Sequence, residues 1–371
     1  MVGPFADGSR VMWAFGHLLP PHESAVPSRA VAFFGARFFE CDRTFDSPLR
    51  GYWAEREVKR PLVPAFLLFF LISDYFQGPR HTRLLYFTLS AVGLGLSLEV
   101  LWNAWGKGFA IPEGWHNWMS DLKSPLLIVP NDTILLSVIT PLSLALLCSE
   151  SGKMRKVVPA ASILLSIFAV CIIQSRIATV TIIVSIATAV ALVRPRLAFG
   201  SGLAVLAVAL LLDASLGFPL SSKFSLLGDQ RIDHLWGGRI PVWSAAWTSF
   251  VTSPVLGHGP HTFDYVSSAS IHLRWAHNLY LETLGEQGII GLIALGLLLY
   301  SAISAARTVC GAALPETRLL GAGAFAALIG FCIAGLFELS FLREWAVIIF
   351  FTILAVIAQL ACYKQEMEEN L

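Results

Sequence analysis

The chain has 371 residues, 56% of them hydrophobic and only 14% charged, with a mean hydropathy of +0.68. A soluble globular protein carries about 25% charged residues, so the composition excludes an ordinary soluble domain. A net charge of +1 excludes a nucleic-acid partner gripped by a basic surface. The six cysteines, Cys41, Cys148, Cys171, Cys310, Cys332 and Cys362, stand apart without a CxxC pair. They read as small apolar residues, neither a disulfide framework nor a zinc site.

Residues 1–60 are mixed in charge, and their apolar stretches at 11–19 and 30–39 are too short to cross a bilayer. A peripheral N-terminal region is expected there, and the start MVGPFADGSR shows no cleavable leader. From 61 to 371 a membrane domain is expected. Its candidate spans lie at roughly 62–76, 84–102, 126–148, 157–174, 177–193, 198–217, 288–306, 319–339 and 345–363. Crossing hydrocarbon takes about 20 residues at 1.5 Å each, and in lipid the backbone must bond to itself, so these blocks are predicted to be helices. The first is short and contains Asp74. The expected fold is all-α: a polytopic helical membrane protein of about nine transmembrane helices, with a large outer-face loop of amphipathic helices at 218–287.

Lysine and arginine favour cytoplasmic loops. One alternating set of connections holds Arg80, Arg83, Lys153, Arg155, Lys156, Arg194, Arg196, Arg307, Arg318 and Lys364, ten in all. The opposite set of short connections holds four: Lys107, Lys123, Arg176 and Arg343. The richer set is therefore assigned to the cytoplasm, and 218–287 faces outward. On that topology Glu99, Asp132, Arg176, Asp213, Glu338 and Arg343 all fall near outer ends of spans. Ionisable groups at membrane depth are functional candidates, and their shared leaflet suggests a polar cavity open to the outer surface.

The segment 218–287 holds five of the nine histidines (His234, His258, His261, His272, His277) and four of the eleven tryptophans (Trp236, Trp243, Trp247, Trp275). In IPVWSAAWTSFV, Trp243 and Trp247 recur at helical spacing, which predicts an amphipathic helix at the interface, an amphipathic lid being the plain alternative. Arg239 stands at its start. SPVLGHGPHTF is a Gly/Pro-rich turn whose backbone can approach a ligand through Gly257 and Gly259, or merely shape the chain. WAHNLYLETLGEQGIIGL, read as a helix entering the membrane, puts Asn278 and Glu282 one turn apart, with His277 and Tyr280 as a neighbouring i, i+3 pair. Asn278 reads equally as a helix cap, and Arg176 and Arg239 equally as interfacial anchors.

Together these residues resemble the C-terminal membrane domain shared by O-antigen ligases and Wzy-type O-antigen polymerases. The resemblance rests on Arg239 followed by I-x-x-W to Trp243, on Pro254, Gly257, Gly259 and Phe263, and on His277, Asn278, Tyr280, Leu281 and Glu282 ahead of G-I-I-G-L at 288–292. PNDTILLSVITPLSLALL upstream and the Ser175–Arg176 pair are also similar to the family, giving coverage of roughly 125–350; the first sixty residues do not match. The resemblance implies transfer of a glycan from undecaprenyl pyrophosphate to a sugar hydroxyl, on lipid A–core or a growing polymer, at the periplasmic face of the inner membrane. No cofactor and no metal are expected.

Arg239 and Arg176 are the candidates to receive the pyrophosphate charge, since guanidinium stays protonated and forks onto phosphate oxygens. His277 is the candidate base for the acceptor hydroxyl, because imidazole titrates near neutral pH. Glu282 or an outer carboxylate such as Glu338 would orient it. Donor and acceptor contacts are expected from Asn278, Glu282, Trp243, Gly257, Gly259, Tyr280, Glu338 and Arg343. Ligase and polymerase stay unseparated. A metal-dependent enzyme using His258, His261 and Asp264, with His272 and His277 beyond, is the second enzyme class, although that spacing fits no known ligand signature and paired acidic ligands are scarce. A lipid-linked glycan transporter is the non-enzymatic alternative; it calls for repeats, broken helices and charges at mid-membrane.

Overall fold

The computed structural model describes residues 48–106, 129–173, 175–216, 239–263, 275–339, 341 and 343–369. The helices in chain order are α1 (Pro48–Tyr75), α2 (Gly78–Gly106), α3 (Val129–Ser149), α4 (Lys153–Ile173), α5 (Arg176–Val193), a 3₁₀ turn (Pro195–Leu197), α6 (Ala198–Leu216), α7 (Arg239–Thr252), α8 (Leu279–Cys310), α9 (Pro315–Gly335) and α10 (Glu344–Glu369). Among the described residues there is no strand. The chain is a polytopic helical membrane protein. Each of the nine apolar stretches read from the sequence overlaps a helix among the described residues, although the stretch expected at 319–339 outruns α9, which ends at Gly335. Of these helices, α2, α4, α5, α8, α9 and α10 are long and apolar enough to cross a membrane, while α1, α3 and α6 contribute shorter apolar stretches.

α1 begins at Pro48, well ahead of the expected span at 62, so the helix runs through the charged stretch assigned to the peripheral region. Of that region, residues 1–47 lie outside the described residues, as do 218–238 and 264–274 of the outer loop.

The chain divides into two compact units. One comprises residues 78–237 and 309–337. Within it α3 is buried nearly all round: Ile134, Leu136, Ile139, Leu142 and Leu146 are enclosed, and so are Thr133, Ser137, Thr140 and Ser143. A helix without a polar face belongs at a centre. Its hydroxyls are bonded inside the unit, Thr140 to the Leu136 carbonyl and Ser143 to Ser90 at 2.8 Å. Small residues bring neighbouring helices close, as membrane interfaces favour. Gly323 of α9 lies against Ala145 and the Pro141 carbonyl, and Gly330 against Thr181 and Ser185, leaving no room for a Cβ at either. The Tyr86 hydroxyl donates to the Leu320 carbonyl at 2.9 Å, and Arg83 pairs with Glu316 at 2.9 Å.

The other unit comprises residues 1–77, 238–308 and 338–371. Here α1 packs along α10 through aromatic contacts, Phe66 with Phe351 at 4.7 Å and Phe69 with Phe351 at 6.3 Å between ring centroids. The same unit holds α7, most of α8 and the turn before α10, and the polar cluster described next lies wholly within it.

Candidate functional site

α7 starts at Arg239, with Pro241 in its first turn, where proline's missing N–H goes unneeded. Val242, Ala246 and Ser249 recur at helical spacing and are buried, and the first two pack with Phe263 and Ala276 into a small core. Ile240, Trp247 and Val251 are exposed. The segment is a helix as expected, with apolar residues on its exposed as well as its buried side.

Beyond α7 the chain turns sharply. His258 Nε2 lies 2.9 Å from both the Ser249 carbonyl and the Thr252 hydroxyl, closing the end of the helix. Gly257 has φ 69° and Gly259 φ 99°, the left-handed region that glycine enters without a Cβ penalty. The turn lies against α8 where that helix is broken at Gly288, φ 64° and ψ −165°. The break frees backbone groups, and the turn satisfies them. Gly259 N–H donates to the Glu286 carbonyl at 2.7 Å, and Ile289 N–H donates to the Pro254 carbonyl at 2.9 Å. A Cβ on Gly257 would collide with the Glu286 backbone, and one on Gly288 with that of Val255.

Glu286 itself, one turn after Glu282, was not expected at the site. Its carboxylate accepts the backbone N–H of His261 at 2.9 Å and of Phe263 at 3.1 Å, pinning the end of the turn. The signal in the sequence is a second acid one turn after Glu282, just ahead of an apolar run.

The start of α8 presents His277. The sequence expectation of a helical His277–Tyr280 pair is corrected here: the helix begins at Leu279, and His277 precedes it with φ 51°. Asn278 is the cap, its Oδ1 accepting from the N–H groups of Tyr280 and Leu281, both at 3.0 Å. Glu282 reaches back to accept the Ala276 N–H at 3.0 Å. A left-handed non-glycine residue costs about 1–2 kcal/mol and persists only where neighbours over-determine it. Here the bonds on both sides hold it, and they turn the imidazole away from the line of the helix.

The imidazole meets Glu338. His277 Nδ1 lies 3.1 Å from Glu338 Oε1, and Arg239 Nη2 donates to Glu338 Oε2 at 2.6 Å. Arg343 Nη2 lies 3.7 Å from Oε1. The Arg343 guanidinium also sits 4.7 Å above the Trp275 ring, and Trp275 meets His277 edge-on at 5.8 Å. The Glu338 side chain is 13% exposed. Burial alone would raise its carboxyl, yet the His277 hydrogen bond and the charges of His277, Arg239 and Arg343 outweigh that and hold it below the usual carboxylate value. Burial lowers the Arg343 guanidinium, while Glu338 and Glu282 oppose the shift. An ionised carboxylate only accepts, so Nδ1 carries the proton of this bond; when the ring is neutral, the lone pair is on Nε2.

Of the residues singled out in the sequence, His277, Arg239, Glu338 and Arg343 are thus brought together. Trp243, half-buried, follows Arg239 by about one turn, and Tyr280, also half-buried, lies in the first turn of α8. Asn278, Glu282, Gly257 and Gly259 hold the local backbone. Arg176 belongs to the other unit, where it opens α5 behind the cap Ser175. Of the alternative metal set, Asp264 and His272 lie outside the described residues, and among those described no three His, Cys, Asp or Glu side chains are grouped to hold an ion.

Residues 161–296 match the family model described as O-Antigen ligase. The match takes in Arg176, Arg239, the glycine turn and the stretch from His277 to Glu282, and ends before Glu338 and Arg343. A search of curated proteins finds no match. The chain is a multi-pass membrane protein whose residues 161–296 are similar to the O-antigen ligase family.

Proposed function

We propose that this protein is a metal-independent, O-antigen ligase-like glycosyltransferase of the bacterial inner membrane. It moves a glycan from undecaprenyl pyrophosphate to a sugar hydroxyl, on lipid A–core or a comparable acceptor, at the periplasmic face. The observation that supports this best is one carboxylate, Glu338, bonded to His277 on one oxygen and to Arg239 on the other. A proton acceptor and a phosphate-binding cation are thereby held side by side.

In the proposed reaction the acceptor oxygen attacks the anomeric carbon while His277 Nε2 takes its proton. The bond between that carbon and the pyrophosphate oxygen breaks, undecaprenyl pyrophosphate leaves, and the new glycosidic bond has inverted configuration. Glu338 orients the ring and stabilises the imidazolium, as the acid does in a catalytic triad. Arg239 faces the charge gathering on the departing diphosphate. Arg176 is proposed as a diphosphate-binding cation on sequence grounds alone, as it lies within the family match. Trp243 and Tyr280 are proposed to line the glycan path, while Asn278, Glu282, Gly257 and Gly259 act on the substrate indirectly, by fixing the backbone that carries His277.

The broken helix α8 is a feature the transporter alternative also calls for. Its freed groups, however, bond to the turn after α7, which supports a rigid joint more than an ion path.

The test is glycan analysis in a deletion strain complemented with wild type, Arg239→Ala or His277→Ala. Each variant is expected to lower transfer by about 100-fold or more, with lipid-linked glycan accumulating and activity unaffected by chelator. Accumulation of polymer that is not capped onto its acceptor identifies a ligase; persistence of single repeat units identifies a polymerase. Wild-type transfer by both variants would refute the proposal.

A further inference from the structure

Three positive or proton-bearing groups converge on one carboxylate, and they are not equivalent. Arg239 holds Glu338 at 2.6 Å, a full charge-assisted hydrogen bond. Arg343 stands off at 3.7 Å, within ion-pair reach but beyond a hydrogen bond. It is also the more enclosed of the two, its side chain 9% exposed against 20% for Arg239. Its Nε and Nη1 atoms are buried with no hydrogen-bond partner among the described residues. Buried guanidinium donors are rarely left so, and they mark an arginine that can take on an acceptor.

A difficulty within the proposed mechanism makes this arrangement useful. If Arg239 turns to a diphosphate, it leaves Glu338, and a buried carboxylate stripped of its closest cation is strongly disfavoured. Glu338 would then draw a proton and lose its hold on His277 Nδ1, at the moment that ring is required. A second cation waiting nearby removes the conflict.

We propose that Arg343 is a positioning residue that takes over Glu338 when the donor diphosphate draws Arg239 away. A shift of under about 1 Å brings Nη2 from 3.7 Å into hydrogen-bond range. The Trp275 ring, 4.7 Å below the guanidinium, guides that movement as a platform. Arg239 is then the donor-binding cation and Arg343 the one that keeps Glu338 ionised and aligned on His277. This inference rests on the transferase reading above.

The experiment compares wild type, Arg239→Ala, Arg343→Gln and Arg343→Lys as full-length protein in nanodiscs. Binding of undecaprenyl pyrophosphate is measured on each, with transfer followed by glycan analysis in the complemented deletion strain and thermal unfolding as the control for folding. Arg239→Ala is expected to weaken binding at least tenfold. Arg343→Gln is expected to bind within about twofold of wild type yet lose at least tenfold in transfer, and Arg343→Lys, which keeps the charge, to recover most of that loss. Binding lost equally in Arg343→Gln and Arg239→Ala would make Arg343 a direct donor ligand and overturn the inference. So would full transfer by Arg343→Gln, or a folded Arg343→Lys as inactive as the glutamine variant. Failure of the wild type to bind the probe would instead overturn the transferase reading beneath it.

Discussion

A carboxyl as enclosed as Glu338 would take up a proton if it stood alone. With Arg239, Arg343 and His277 around it, its value lies below the usual 4.5. A group whose folded value is depressed adds stability that is complete above the unfolded value and vanishes as pH falls through the folded one. Glu338→Gln is therefore expected to unfold at a lower temperature than wild type at neutral pH, because two guanidinium groups lose their counterion. The gap should hold down to about pH 4.5 and close below it; a gap that widens on acidification would contradict this account. The identity of His277 was readable from its motif. Its left-handed backbone was not, because φ at that position depends on the capping bonds of Asn278 and Glu282 to neighbouring N–H groups.

At the scale of elements, the joint between α7 and α8 carries most of the site's geometry. Arg239 opens the first helix, His277 immediately precedes the second, and the glycine turn locks onto the break at Gly288. Gly288→Ala places a Cβ against the Val255 carbonyl at φ 64°. It is expected to cost roughly 1–3 kcal/mol, read as a lowered unfolding temperature in detergent, with transfer reduced as well. An alanine variant as stable as wild type would mean that the break does not matter. In the sequence the start of G-I-I-G-L passes for uninterrupted helix, because residues compatible with a helix continue on both sides of Gly288. Only the turn roughly thirty residues upstream supplies the partners that make a break tolerable. Glu286 is only weakly marked in the sequence for a related reason: its bonding partners are backbone N–H groups of that turn, and backbone donors leave no mark in composition.

At the scale of the whole molecule, the orientation remains a statement about lysines and arginines, and it has a direct check. Thr248 is exposed on α7 and Met154 is 83% exposed near the start of α4. With the native cysteines replaced, Thr248→Cys should react with a membrane-impermeant maleimide added to spheroplasts, and Met154→Cys only after permeabilisation. The reverse pattern would put Arg239 and His277 on the cytosolic side, away from a donor displayed at the periplasmic face.

The sequence alone determined that the chain lies in a membrane, that it is helical, where its apolar stretches fall and which residues carry the family's motifs. These are properties of local composition and of the backbone's need to bond to itself in lipid. Tertiary structure alone decided that Glu338, 61 residues from His277 and 99 from Arg239, is the group that joins them. The shared leaflet makes Glu338 one candidate beside Glu282, but an ion pair between distant segments exists only once the chain has folded.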